Sequence, residues 1–323
     1  MLNMPRPRID LLQLHYFVAV VDAGSITKAS RICNIAQPAL SKRISSLEVE
    51  LGVQLLHRGA FGVQATEEGM VLYQASQRVL REMSAIPQAV RSSAENPAGD
   101  VRLGCQDSLT RLISRPLAKE TMQLFPNIRL AASAGQSMEL YRALSEGMLD
   151  LALIVYDESI HNVAVQLVLE EELFVVAAPS VFSERDDEIP LDELVRIPFV
   201  FPSSTTFASG QMVVNLLGEY GDQIDIVAMV DGEALKALIA DGLGCCVLPW
   251  SFVQPEIESG QIDFRRIKGV PLLRRIALCS SNDRPQSAAA SAVARLIEKL
   301  IGTALNDGSW QHAKLVETSG SAA

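Results

Sequence analysis

The chain of 323 residues has a formal net charge of −10 at pH 7, and 48% of its residues are hydrophobic and 20% charged. This length predicts two or three domains, and this composition excludes a mostly disordered chain. The longest uncharged stretch that we find, residues 197–218, contains Pro202, Gly210 and five serines or threonines, which excludes a membrane-spanning helix there. No apolar segment of signal-peptide form follows the first arginines, so we expect a cytoplasmic protein.

The five cysteines and four histidines are scattered without the spacing of a disulfide framework or a zinc site. Most of the cysteines have apolar neighbours, and we expect them to be reduced and buried. No paired-histidine motif, no glycine-rich phosphate turn and no recognisable serine, histidine and acid combination occurs. The sequence therefore predicts no metal and no cofactor. An enzyme is the alternative, but no motif in the sequence supports it.

Charge is unevenly distributed along the chain. Through Thr66, seven basic residues stand against four acidic ones, which gives +3 and leaves −13 for the remainder. A basic end can bind phosphates while the acidic remainder is repelled from them. A small domain that is slightly basic by chance would show the same imbalance.

The first predicted element is an amphipathic helix that ends at Gly24. Asp10 and Gln13 have the spacing of a capping box, and apolar residues follow at helical intervals. Ser25 can cap a second, short helix that continues to Ile32. A short break at residues 33–35 separates this helix from the next one.

The third predicted helix begins near Gln37 and Pro38, where the first turn tolerates proline, and ends at Gly52. Two short strands, residues 55–58 and 63–66, predict a hairpin after it. This order is typical of a winged helix-turn-helix that binds double-stranded DNA. For the helix taken alone, an ordinary solvated face is the alternative. The polar face carries groups that can reach base edges and phosphates, namely Gln37, Ser41, Lys42, Arg43 and Ser45.

The segments FVAVVDAGSITKAS, AQPALSKRISSLEVELGVQLLHR and TEEG, which begin at Phe17 and end at Gly69, follow one another at a characteristic spacing. They resemble the DNA-binding region of LysR-type transcriptional regulators. By position, the resemblance implies DNA contacts by the recognition helix at Gln37, Pro38, Ser41 and Lys42 and by the wing at Arg58. Our candidate set for DNA binding adds Ser25 and Arg43.

Two positions depart from the family pattern. Ala36 stands where the family usually has a serine cap, which removes a side-chain cap worth about 1 kcal/mol. The wing tip, residues 59–62, lacks the basic residues that are frequent in the family. We therefore expect DNA contact mainly through the recognition helix and through paired half-sites.

A long helix is predicted to start at Thr66, with Glu67 and Glu68 in its first turn, and to reach about Ser92. Pro87 lies within it, so we expect a kink or an early end there. The narrow apolar stripe favours dimerisation or tetramer formation through this helix. Packing of the stripe on its own chain is the alternative. The residues of the stripe, four and three apart, are Leu72, Ser76, Val79, Met83, Ile86 and Val90.

From residue 100 onward, predicted strands alternate with predicted helices, which favours a parallel sheet with helices on its faces. We predict two α/β lobes joined by two crossings, as in periplasmic-type binding proteins. The fold class is therefore α/β, with a winged helix-turn-helix and a long linker helix before a two-lobed effector-binding domain. The segments GDVRLG, FPNIRL, SEGMLDLAL and IADGLGCCVLP resemble the LysR-type effector domain, and some details resemble the branch that responds to nitrogen or sulfur supply.

The predicted boundaries are 1–66 for the DNA-binding domain, 67–96 for the linker helix and 97–302 for the effector domain. Within the last, lobe I covers about 100–161 and 268–302, and lobe II about 162–267. Residues 303–323 are polar and small, and we expect them to be disordered.

Ligands in such sheets lie beyond the carboxyl ends of strands, where helix N-termini offer free amides. These hydroxyls are also ordinary helix caps, which is the alternative to ligand contact. None of the candidate positions is an arginine, so the sequence does not indicate a strongly anionic effector. The candidates for effector binding are Gln106, Ser108, Thr110, Ser137, Tyr156, Ser203, Ser204 and Thr205.

The sequence thus predicts a sequence-specific DNA-binding regulator of transcription, tuned by a small molecule. The alternative is a small-molecule binding protein of periplasmic type with no regulatory role on DNA. That alternative leaves the first 66 residues unexplained.

Overall fold

The computed structural model describes residues 9–59, 62–91, 93, 95–182, 186–203 and 208–316. The chain divides into two compact units, Met1–Val90 and Arg91–Ala323. Among the described residues, no helix has both the length and the apolar character that crossing a membrane requires.

The first unit begins with three short helices and a hairpin. The two strands pair antiparallel, with Leu56 opposite Ala65. Their positions differ from the predicted strands by one residue at each end. The elements are α1 (Leu11–Ala23), α2 (Ile26–Ile32), α3 (Gln37–Leu51), β1 (Leu56–Gly59) and β2 (Gly62–Ala65).

The helix ends are formed by the residues that the sequence indicated. Asp10 and Gln13 make both hydrogen bonds of the capping box of α1. The Ser25 hydroxyl caps α2 by accepting from the backbone N–H of Lys28 at 3.4 Å. Ala36 gives α3 no side-chain cap. The core between the three helices and the hairpin contains Phe17, Val20, Ala29, Leu40, Ile44, Leu47, Leu55 and Leu56.

The long helix α4 spans Glu67–Arg91. Thr66 caps it, since its Oγ1 accepts from the backbone N–H of Gly69 at 2.9 Å. The helix continues to Arg91, so the early end expected at Pro87 does not occur. Along its predicted stripe, Ser76 is fully buried, whereas the exposed fractions rise from 41% at Val79 to 81% at Val90.

The second unit opens with a βαβ arrangement, as predicted. β3 pairs in parallel with both β4 and β5, which places β3 between them. The elements in this stretch are β3 (Gly99–Gln106), α5 (Thr110–Leu124), β4 (Ile128–Gly135), α6 (Ser137–Ser145) and β5 (Leu151–Val155).

The middle of the second unit forms the other lobe. Its apolar side chains pack in two clusters on either side of the strands, around Val175 and around Phe174. The elements are β6 (Val163–Ala177), β7 (Glu188–Ile189), α7 (Leu191–Leu194), β8 (Phe199–Phe201), α8 (Ala208–Leu217), β9 (Ile226–Met229), α9 (Gly232–Ala240), β10 (Cys246–Pro249), α10 (Trp250–Glu258) and β11 (Asp263–Ile267).

The chain returns to the first lobe through β12 (Leu273–Ser281) and α11 (Ala288–Asn306). β6 and β12 join the lobes. β6 pairs with β12 from Val163 to Glu172, and from Leu173 onward it pairs with β10. The first crossing therefore lies near Leu173, later in the chain than the predicted boundary after residue 161.

The expectation of disorder after residue 302 is wrong for the part that the structure describes. Helix α11 continues to Asn306, and β13 (Ala313–Leu315) pairs with β6 opposite Leu169 to Glu171. Trp310 between them is 2% exposed. The segment is polar overall, but its large Trp310 side chain is buried and its strand β13 pairs with β6. Together these two interactions order the segment. Residues 317–323 lie outside the described residues.

Candidate DNA-contacting surface and effector cleft

The exposed side of α3 carries the side chains predicted to contact DNA. Leu40, Ile44 and Leu47 on its other side are fully buried, so core packing determines which side faces outward. Lys42 is exposed and its ammonium group forms no hydrogen bond or ion pair with a described residue, which leaves it available to a phosphate or a base. The exposed or half-buried side chains here are Gln37, Pro38, Ser41, Lys42, Arg43 and Ser45.

Arg58 of β1 lies against this same surface. Its guanidinium donates to the hydroxyls of Ser41 at 3.2 Å and Ser45 at 3.3 Å, and it lies 3.6 Å from a Glu48 carboxylate oxygen. The structure thus brings the predicted wing cation to the recognition helix. The uncharged wing tip at residues 60 and 61 lies outside the described residues.

Two other members of the candidate set have structural partners. Arg43 forms an exposed ion pair with Asp10 at 3.7 Å. Ser25 is half-buried, and its hydroxyl is the cap of α2. Each side chain can still approach a phosphate, although each already has a partner within the protein.

Glu48 is a functional neighbour that sequence reasoning missed. Its Oε1 accepts from the backbone N–H groups of Leu55 at 3.0 Å and Leu56 at 3.3 Å. The carboxylate therefore ties the end of α3 to the start of the hairpin. The only local signal is its position one turn before the end of the helix.

A cleft that opens to solvent lies between the two lobes of the second unit. Gln106, Ser108 and Ser137 of the predicted set line it, whereas Thr110 and Tyr156 are not among its lining residues. Ser203 is adjacent, because its backbone N–H donates to Asp231 at 3.0 Å. Ser204 and Thr205 lie outside the described residues.

The hydroxyl of Ser137 already has two protein partners. It donates to Gln106 Oε1 at 2.7 Å and accepts from the backbone N–H of Val155 at 3.0 Å. It therefore ties the start of α6 to the end of β5 and to Gln106. The Ser108 hydroxyl accepts from Arg274 but donates to no described residue, so it can donate to a ligand.

An arginine that the sequence did not point to stands in the cleft wall. Arg274 of β12 is 5% exposed, and its Nη2 donates to Ser108 Oγ at 2.8 Å. Its Nε donates at 2.7 Å to Glu171, with which it forms a buried ion pair. None of the predicted loop positions is an arginine, but Arg274 reaches the cleft from a strand, 166 residues after Ser108. Because Glu171 compensates its charge, Arg274 alone does not make the cleft positive.

Glu171 is the centre of a buried network at the crossing of the lobes. Its Oε2 accepts from Ser251 at 2.9 Å and from the indole N–H of Trp310 at 3.1 Å. Donors from both lobes, from β12 and from the C-terminal segment thus meet on one carboxylate. A buried carboxylate is tolerated when each oxygen is hydrogen-bonded in this way.

Two acidic side chains also line the cleft, Asp107 from the first lobe and Asp231 from the second. Burial raises the pKa of Asp107, and the carboxylates of Asp231 and Glu139 raise it further. The hydrogen bond that Gln136 donates to Asp107 at 3.1 Å acts in the opposite direction. Asp107 and Asp231 are therefore close enough to repel each other.

All five cysteines are free, and four of them are buried. Burial raises the pKa of Cys105 to about 11 and the pKa values of Cys246 and Cys279 to about 12. The expected burial is confirmed for Cys105, Cys245, Cys246 and Cys279, whereas Cys33 is only half-buried. Within the described part of the chain, no group of three or more histidine, cysteine or acidic side chains could hold a metal ion.

The comparisons with known families match both units. Residues 11–70 match the family described as "Bacterial regulatory helix-turn-helix protein, lysR family", and residues 94–301 match "LysR substrate binding domain". The chain belongs to the LysR family. It is a DNA-binding regulator of transcription with an effector-binding domain, as the resemblance of its motifs implied.

Known LysR-family proteins are similar over most of their length. The nitrogen assimilation regulatory protein Nac of Escherichia coli (strain K12) is 30% identical over 253 residues, which cover 75% of this chain and 79% of Nac. The transcriptional regulator CbbR of Cereibacter sphaeroides is 30% identical over 303 residues, covering 92% and 96%. Nac is by name a regulator of nitrogen assimilation, and the sequence was expected to resemble in some details the branch that responds to nitrogen or sulfur supply.

Solved structures support the fold. Full-length CbnR in complex with its target DNA matches with a TM-score of 0.67 at 20% identity, covering 90% of this chain and 100% of CbnR. Full-length BenM matches with a TM-score of 0.53 at 25% identity, covering 94% and 99%. The predicted fold class, a helix-turn-helix followed by a two-lobed α/β domain, is confirmed. A binding protein without a regulatory role on DNA finds no support.

Proposed function

We propose that this LysR-family regulator recognises a specific DNA sequence through the exposed side of α3. The observation that supports this most directly is the exposed set of amide, hydroxyl and ammonium groups at Gln37, Ser41 and Lys42, on a helix whose other side is anchored in the core. Amide and ammonium groups of this kind pair with base edges in the major groove. Arg58 adds a second cation to the same surface.

The test is selection of random double-stranded DNA with the purified full chain. We expect enrichment of a dyad-symmetric sequence, because two copies of α3 would read two half-sites. Replacing Lys42 with alanine should weaken binding to that sequence about tenfold and lower the salt dependence by about one ion. Lys119→Ala is the matched control, because Lys119 is an exposed lysine of α5 in the second unit. Enrichment of no dyad-symmetric sequence would overturn the proposal.

We further propose that the chain self-associates through α4. The stripe residues Val79, Met83, Ile86 and Val90 are 41–81% exposed within the first unit. Apolar residues at four and three spacing form the seam of a coiled coil, which removes such surface from water. A dimer or tetramer of this kind would present paired recognition helices to a near-palindromic site.

The cleft between the lobes is the proposed effector site. Gln106, Ser108 and Arg274 supply polar groups on its wall. Effector contact by Ser203 to Thr205, Thr110 and Tyr156 stays a prediction. Clefts of several hundred Å³ with a few convergent polar groups are typical of small-molecule sites. The relatives named above are regulators, so we propose a non-catalytic role for the cleft and a cytoplasmic place of action, where chromosomal DNA is accessible.

A further inference from the structure

Asp107 and Asp231, which come from opposite lobes, both line the cleft, and neither forms an ion pair with a cationic side chain of the described residues. Asp107 and Asp231 are both exposed, and their described hydrogen-bond donors are the neutral groups of Gln136 and Ser203. Asp231 precedes α9 but makes no capping hydrogen bond to it, because its carboxylate is turned towards Ser203. Helix capping therefore does not account for this carboxylate. Repulsion between like charges at short range is relieved when a cation binds between them.

The cleft also offers an unused donor next to this acidic pair. Arg274 is 95% buried, and its Nε and Nη2 donate to Glu171 and Ser108. Its Nη1 donates to no described residue, although Arg274 lines the cleft. An oxygen of a ligand in the cleft can accept a hydrogen bond from this Nη1. Since Ser108 follows Asp107 directly, the donor and the acidic pair are neighbours.

The wall that the second lobe contributes beside Asp231 is mostly apolar. Leu173, Phe201, Leu248 and Phe252 line the side of the cleft that belongs to the second lobe. An apolar wall with a few convergent polar groups is typical of a small-molecule site. A ligand that fits all three features carries a positive group, an acceptor oxygen close to it and a compact apolar body.

We propose that the cleft binds a zwitterion built like an apolar α-amino acid, with its ammonium group between Asp107 and Asp231 and its carboxylate on Arg274. The proposal rests on the effector role proposed for the cleft. Because the two aspartates come from opposite lobes, the ammonium group would also draw the lobes together. A purely anionic ligand would be repelled by the carboxylates of Asp107 and Asp231, and a purely cationic one would make no use of the donor at Arg274 Nη1.

Binding of matched probes to the full chain tests this, with titration calorimetry as the readout. The probes are L-leucine and L-phenylalanine, together with 3-methylbutylamine, which lacks the carboxylate of leucine, and 4-methylpentanoate, which lacks its ammonium group. We expect at least one of the two amino acids to bind at millimolar concentration or below. Each analogue that lacks one charge should bind about tenfold more weakly, as loss of one charged hydrogen bond implies.

Isosteric variants locate the ammonium group. Asp107→Asn and Asp231→Asn should each weaken binding of the amino acid about tenfold. Each should also reduce the ratio of the affinity for the amino acid to the affinity for 4-methylpentanoate. Asp192→Asn is the matched control, because it removes the same charge from an exposed residue of α7 outside the cleft. Unchanged melting temperatures would show that the variants remain folded.

Three results would overturn the inference: no binding of either amino acid, equal binding of 4-methylpentanoate, or full binding by both aspartate variants. The DNA selection described above is independent of these measurements. A chain that selects a dyad-symmetric sequence but binds neither amino acid contradicts only the ligand class. A chain that selects no DNA sequence contradicts the proposed function itself.

Discussion

The C-terminal segment is anchored at the crossing of the two lobes, and Trp310 is its anchor. The indole is 2% exposed, and its N–H donates to Glu171 Oε2 at 3.1 Å. The same carboxylate accepts from Ser251 and Arg274. Loss of the indole therefore removes buried apolar surface and one donor to a buried carboxylate at the same time.

The two effects have different sizes and can be separated by two variants. Trp310→Phe keeps most of the apolar contact but leaves one hydrogen bond of Glu171 unmade, which costs about 1–3 kcal/mol. Trp310→Ala adds a cavity, which brings the loss to about 3–5 kcal/mol. For a unit of this size, 1 kcal/mol corresponds to about 2–4 °C in melting temperature. We expect a fall of about 5 °C for the first variant and about 10–15 °C for the second.

The assay is calorimetric unfolding of the full chain, following the transition of the second unit. Leu315→Ala is the control, because Leu315 in the same segment is 56% exposed and its truncation should change the unfolding free energy by at most about 0.5 kcal/mol. A melting temperature of Trp310→Ala within about 2 °C of the unaltered chain would refute the reasoning. It would mean that the segment after α11 contributes nothing to the fold.

Three further predictions concern the hairpin, the helix stripe and the thiols. Gly62→Ala should lower the unfolding free energy of the first unit by about 1–3 kcal/mol, measured with urea, because an added Cβ would lie 2.6 Å from the Gly24 carbonyl oxygen and φ is +124°. Ile86→Asp should shift the chain towards monomer in light scattering, since Ile86 is 57% exposed on the stripe, whereas Val71→Asp, 68% exposed and off the stripe, should not. At pH 8, a thiol reagent should modify at most Cys33 in the folded chain and all five cysteines after denaturation, because the other four are buried. Rapid modification of a second thiol in the folded chain would contradict this.

Local patterns in the sequence predicted the first unit almost completely. The capping box at Asp10, the serine cap at Ser25 and the glycines that end α1 and α3 act on neighbouring residues, so their effect depends little on the rest of the fold. The side of α3 that faces outward follows from the spacing of its apolar residues for the same reason. The DNA-contacting candidates were therefore predictable by residue.

The sequence predicted residues of the cleft only where a candidate position for ligand contact lies at or directly after the end of a strand. Gln106 is the last residue of β3 and Ser108 follows two positions later, and the same rule would have found Asp107 between them. It could not have found Arg274, which lies within a strand and faces the cleft only because β12 crosses between the lobes. Nor could it have shown that the Ser137 hydroxyl is already bonded to Gln106 and Val155.

The sequence by itself determined the order of the elements, the outward side of α3 and the family of the chain. Tertiary structure alone decided the electrostatics of the cleft and the order of the C-terminal segment. Arg274 and Glu171 are 103 residues apart, and Trp310 and Glu171 are 139 residues apart. The free energy of burying a charge depends on which partners the fold brings to it from distant parts of the chain. No local sequence pattern specifies those partners.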